Sequence, residues 1–183
     1  MSEQYKFHDQ EGLYFTTTTV VDWIDIFTRP DFKTVIIDSL KYNQEHKGLI
    51  IHSWCLMTNH LHMIVSAKEG FSLSAIMRDL KKFTSKEIIK TIVDIQESRK
   101  EWMLVRFEYA GKYSKRIKNY KFWQDGNHPI ELNTNELIDE KLDYIHNNPV
   151  VAEIVERPEE YLYSSARDYI GIKGLLNIEL IDL

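Results

Sequence analysis

One cysteine, Cys55, stands in 183 residues, so no internal disulfide can form. With no second thiol to share a metal, Cys55 reads as a small buried apolar residue. Glycine (7) and proline (4) are scarce, and no repeat, low-complexity tract or linker interrupts the chain. No apolar run approaches the ~20 residues of a membrane-spanning helix. The polar opening MSEQYKFHDQEG does not have the apolar stretch of a secretory leader. These absences predict a cytoplasmic protein with no membrane partner, folded as one domain over residues 1–183. A G-x-x-x-x-G-K-[ST] loop is also missing. Nor is there a surplus of positive charge. The formal net charge is −5 and the pI about 5.8, which for the chain as a whole weighs against a nucleic-acid partner.

What is present is a globular composition, 43% apolar and 12% aromatic, long enough to bury a core. Charge is distributed unevenly. Between Arg106 and Lys121 the cations Arg106, Lys112, Lys115, Arg116, Lys118 and Lys121 face Glu108 alone, a local balance of +5. Tyr109, Tyr113 and Tyr120 are interleaved with them. Cations for phosphates and rings for bases are what single-stranded nucleic acid requires. The same pattern also fits a solvated helix face with its tyrosines turned inward. Lys81 and Lys82 form a second, smaller basic stripe, most simply a solvated face.

Periodicity predicts the order of elements. GLYFTTTTVV (12–21) reads as a strand, Asp31 to His46 as a helix, GLIIHSW (48–54) and HLHMIV (60–65) as a hairpin. A helix capped by Ser72 or Ser74 runs to about Val93, with Leu73, Ile76, Met77, Leu80, Phe83 and Ile88 on its apolar face. Residues 94–121 give only mixed helix and loop. FWQDGNHPIEL suggests two short extended pieces around a turn at Asp125-Gly126. A last helix is expected from Asn135 to Asn147, ended by Pro149. The sum is an α/β (α+β) chain, an antiparallel sheet flanked by helices.

TNHLHMIV holds the chemistry. His60 and His62 share one face of a strand, with Leu61, Met63 and Val65 on the other. At ~3.3 Å rise the pair lies about 7 Å apart, and both rings can turn onto one cation between them. Imidazole suits Zn or Mn, and with oxygen ligands a Mg or Mn site fits. An isolated His-x-His also fits one exposed and one core histidine, and a metal reading needs a third ligand. In LDYIHNNPV, Tyr144 and Asn148 are four apart on one helical stripe. A phenol and a carboxamide so placed can point at one spot, or Asn148 can simply cap the helix. His52 and His128 lie outside this pattern; His52 reads as structural and His128 as a loop accessory at most.

WCLMTNHLHMIV, FWQDGNHPIEL, LDYIHNNPV and PEEYLYSSARDY, in that order, resemble the single-tyrosine HUH transposases, and among them the REP-associated tyrosine transposase branch. The resemblance runs from about Gly12 to Tyr169. It implies a ferredoxin-like core with the histidines on a central strand and the tyrosine helix laid across them. It implies His60, His62 and Asn148 as ligands of Mg²⁺ or Mn²⁺, Tyr144 as nucleophile, and single-stranded or hairpin DNA as partner, with the chain a monomer or homodimer. The expected activity is DNA cleavage near hairpins and strand transfer through a 5′-phosphotyrosine. Thr58 stands where the family often has proline, a change of turn stiffness. Two other functions stay open: a domesticated hairpin binder that does not cut, and an unrelated metal hydrolase built on the histidines with Glu69 or Asp79.

Overall fold

Alternation along three strands sets the layers of the molecule. The computed structural model describes residues 7, 9, 12–114 and 119–181. Its strands are β1 (Tyr14–Thr19), β2 (Leu49–Leu56), β3 (His60–Ala67) and β4 (Ile130–Glu131). Its helices are α1 (Pro30–His46), α2 (Leu73–Asp94), α3 (Lys100–Lys112), α4 (Asn135–Val151) and α5 (Ala166–Tyr169). The strands pair antiparallel in the order β2-β3-β1-β4. With α1 between β1 and β2, and α2 and α3 between β3 and β4, this is the ferredoxin-like β-α-β-β-α-β order, as expected.

Each face of the sheet buries its own core. Tyr14, Trp54, Leu61, Met63 and Val65 project to one side, against Phe32, Ile36 and Leu40 of α1 and Leu73, Met77 and Leu80 of α2. Phe15, Cys55 and Ile64 project to the other, against Leu142 and Ile145 of α4 and Tyr161. Burying such a leucine or isoleucine contributes about 1.5–3 kcal/mol, so α4 is anchored over the second face by its own apolar stripe. A bulge at His52 decides which β2 residues join which face. Ile51 pairs with Val65 but Ser53 with Ile64, so the extra residue shifts the alternation and turns Ser53 and Cys55 toward α4. His52 itself bonds the Glu179 carbonyl and the Ser66 hydroxyl, both at 2.9 Å. The outer edge of β2 is covered by the later chain. Leu56 N–H donates to Tyr163, Ser165 N–H to Trp54, and Glu179 N–H to Ile51, which removes an unpaired strand edge.

Three local expectations are corrected. Phe83 is not on the buried face of α2; it is exposed, and Thr84 takes the core position, bonding the Leu80 carbonyl and the Trp123 indole. Residues 100–112 form a complete helix, α3. Pro149 does not end α4, which continues to Val151 with Ala152 as its C-cap. A proline near a helix C-terminus removes one N–H bond, and here its ring is buried.

Candidate active site

The turn between β2 and β3 is held from outside. Met57 N–H bonds His60 O across it (2.8 Å), Val20 N–H bonds Asn59 O (2.9 Å), and Phe27 N–H bonds Thr58 O (2.8 Å). Side chains add to this. The Thr58 hydroxyl donates to Asp25 Oδ1 (2.6 Å), and Asn59 Nδ2 donates to the same oxygen (2.8 Å) and to Trp23 O (3.2 Å). The stiffness a proline would bring at position 58 is supplied by these bonds to the 20–27 segment.

The two histidines leave this turn side by side, their ring centroids 4.6 Å apart. Each has Nδ1 engaged. His60 Nδ1 lies 2.6 Å from Asn59 Oδ1, and His62 Nδ1 lies 2.8 Å from Thr17 Oγ1 on the neighbouring strand. His62 is 4% exposed, and its Nε2 is buried with no hydrogen-bond partner. Burial, and then the neighbouring His60, push its imidazole down to about 3, so the ring is neutral. Burial also holds His60 below the ordinary histidine range, opposed by a hydrogen bond the ring donates to the Asn148 side chain and by Asp25.

α4 lies across this pair. The Tyr144 ring stands 5.1 Å from His62 and 6.0 Å from Phe15, centroid to centroid, and the residue is 49% exposed. Asn148, one turn further along, reaches His60. Two neutral imidazoles, one with an orphaned buried nitrogen, and an amide oxygen make a donor set that suits a divalent cation. Among the described residues no three His, Cys, Asp or Glu side chains gather to hold a metal; the third polar group beside the two histidines is the Asn148 amide. Cys55 is buried and its thiol pushed up to about 12 by burial, which leaves it inert. Asp79 pairs with Arg78 (2.8 Å) on α2, on the opposite face of the sheet, and Glu69 follows the far end of β3. Neither joins the histidines.

The basic residues are mostly engaged nearby. Lys81 is half-buried, its ammonium on the Gln124 and Gly126 carbonyls (2.8 and 2.6 Å), and desolvation there pulls it down to about 8. Lys121 pairs with Asp125 (2.6 Å), Lys112 with Glu108 (3.3 Å), and Arg106 reaches Asp22 through two nitrogens (2.9 and 2.6 Å). Lys82 is exposed. Lys115, Arg116 and Lys118 lie outside the described residues. On α3, Trp102, Val105 and Tyr109 are exposed, as is Tyr113 at its C-cap.

Sequence reasoning passed over His146. It lies one turn from Leu142 on α4, with Nε2 on the hydroxyls of Ser165 (2.9 Å) and Ser53 (3.2 Å), and burial pushes it down to about 4. It joins α4 to β2 beside the site. Its position two residues before Asn148 was the one available signal. Thr17 and Trp23 were missed too, because their contacts cross the fold.

The structure thus sets a strand-borne histidine pair beneath a helix-borne tyrosine and amide on a ferredoxin-like sheet. The model of the IS200-like transposases matches residues 23–148, which include all four of these residues, and the chain belongs to that family. No curated protein matches it. Among solved structures, a REP-associated tyrosine transposase bound to a REP hairpin superimposes with a TM-score of 0.64 at 17% identity, over 100% of this chain and 95% of that one. At that identity the likeness speaks for the fold. No helix among the described residues is long and apolar enough to cross a membrane.

Proposed function

We propose that this protein is a Mg²⁺- or Mn²⁺-dependent single-stranded DNA endonuclease and strand transferase that cuts beside hairpins through Tyr144. The observation that carries the reading is the orphaned Nε2 of His62, buried beneath the Tyr144 ring. An unpartnered buried nitrogen is costly unless something binds it. Family membership and the hairpin-bound solved relative support the same reading.

His60, His62 and Asn148 would hold the cation, which when bound polarises a phosphoryl oxygen and offsets developing charge. Tyr144 supplies the nucleophile. Its Oη bonds to phosphorus as the P–O3′ bond breaks, and the phenol proton ends on the released 3′-hydroxyl. The 5′-phosphotyrosine keeps the energy of the broken bond, so a second 3′-hydroxyl reverses the step and joins a new strand. Placing the phenol on a helix anchored by Leu142 and Ile145 limits the geometries it samples, and orientation provides much of such rate enhancement. Lys82, Arg106, Lys112 and Lys121, with Lys115, Arg116 and Lys118, are the cations proposed to serve the DNA backbone; Lys81 is proposed to do so only indirectly, through the Gln124–Gly126 loop.

The test is covalent trapping. Labelled hairpin oligonucleotides with single-stranded arms are incubated with the protein and Mn²⁺ or Mg²⁺, then resolved on a denaturing gel. A metal-dependent adduct is expected, and Tyr144→Phe should lose it while still binding DNA. An adduct that survives in Tyr144→Phe removes Tyr144 from the role. Hairpin binding with no adduct across a broad oligonucleotide pool identifies a binder that does not cut.

A further inference from the structure

We propose that Trp23 is a nucleobase-stacking platform that takes a base of the single strand next to the phosphate at His60 and His62. This rests on the DNA reading above and assigns it a further binding residue. Three observations converge on this residue. Its indole is 57% exposed, yet it stands 5.8 Å from the His60 ring, at the rim of the site. Its backbone is in the left-handed region, at φ 54°, as is that of Asp22 beside it. Two consecutive non-glycine residues there are unusual, and for a bulky side chain the conformation is a true outlier. Such strain persists where neighbouring structure enforces it, and it concentrates at functional sites.

The enforcement is visible. Asn59 Nδ2 donates to the Trp23 carbonyl, so the residue that orients His60 also holds Trp23. Trp23 N–H bonds the Val20 carbonyl (3.1 Å). Arg106 clamps the Asp22 carboxylate from α3, and neutralises the one anion next to the indole in sequence. A large ring is therefore held outward, against the cost of exposing apolar area, instead of turning into the core as Ile24, Ile26 and Phe27 do. Every base has a π-face, so an outward indole at this rim serves any sequence.

The experiment uses two labelled DNA hairpins with a single-stranded arm, one with normal bases and one with abasic positions along the arm, titrated against the full chain. Wild type should prefer the first probe. Trp23→Ala should lose affinity for it by roughly ten-fold or more, leave the abasic probe unchanged, and so abolish the preference; Trp23→Phe should restore most of it. Trp23→Gly, which accepts the left-handed backbone freely, should keep or raise the thermal midpoint while losing the same affinity. Equal losses on both probes, or a lowered midpoint in Trp23→Gly, would show a structural residue and overturn the proposal. Unchanged binding in Trp23→Ala, in a chain whose wild type binds and forms the Tyr144 adduct, overturns it while leaving the function standing. Absence of DNA binding by wild type removes both.

Discussion

An imidazole ligates a cation through one nitrogen, and the partner of the other nitrogen decides which way the ring turns. Thr17 Oγ1 lies at Nδ1 of His62 and Asn59 Oδ1 at Nδ1 of His60, the partners that would orient the rings if they hold the proposed cation. Replacing Thr17 by Val keeps shape but removes the hydroxyl. We expect Mn²⁺ affinity, measured by calorimetry, to fall on the order of 10–100-fold, and Asn59→Ala to behave alike. Affinity unchanged in both would mean the histidines are oriented by their burial alone. The shared faces of His60 with His62 and of Tyr144 with Asn148 were readable from strand and helix periods, whereas the roles proposed for them came from the family resemblance. Thr17 was not readable: it sits in a run of four threonines that signals only β-propensity, and it meets His62 through strand pairing.

At the scale of elements, α2 separates two adjacent lysines. Lys81 turns inward to the Gln124 and Gly126 carbonyls, and Lys82 turns to solvent. Lys82→Ala should therefore reduce the salt dependence of DNA binding by about one ion and leave the thermal midpoint in place. Lys81→Ala should lower the midpoint, because it leaves two carbonyls without their donor. Paired thermal and salt titrations distinguish them, and identical behaviour of the two variants contradicts this division. The stretch that defied periodicity, residues 94–121, has a similar cause. α3 buries Met103 and Phe107 yet exposes Trp102, Val105 and Tyr109, so apolar residues lie all round it and no stripe stands out. Gly111 completes the picture: a Cβ there would collide with the Asn119 carbonyl, so only glycine lets the returning chain lie on the helix. In α4 the proline rule named the wrong end, since one lost N–H bond in the last turn costs less than unseating a buried stripe.

For the molecule as a whole, four histidines are kept neutral by burial. His52, His60, His62 and His146 are all held below the ordinary value, His62 to about 3 and His146 to about 4. The unfolded chain then binds protons that the folded one does not, and the sign follows. Stability is full above the unfolded pKa of about 6.5 and declines as pH falls through the interval toward about 3. Metal-free protein in EDTA should show a urea midpoint dropping steadily from pH 7 to pH 5, before most carboxylates titrate. His146→Gln should flatten part of that slope. A midpoint constant across this range would mean these rings protonate freely in the fold.

The amino-acid sequence alone determined the alternation of strands and helices and the shared face of His60 and His62. Each follows from periods of two and 3.6 residues that local geometry imposes. It also determined that Tyr144 and Asn148 lie on one stripe. The ferredoxin-like order of the sheet came from the family resemblance and is set by strand pairings distant in sequence. Tertiary structure decided the rest. The bulge at His52 selects which β2 side chains meet α4, the 20–27 segment locks the Thr58-Asn59 turn, and the strained Asp22-Trp23 pair is set at the rim of the site. The fate of the cations was likewise decided there. The reason is common to all four: each depends on partners far away in sequence, and contacts of that kind have no period to read.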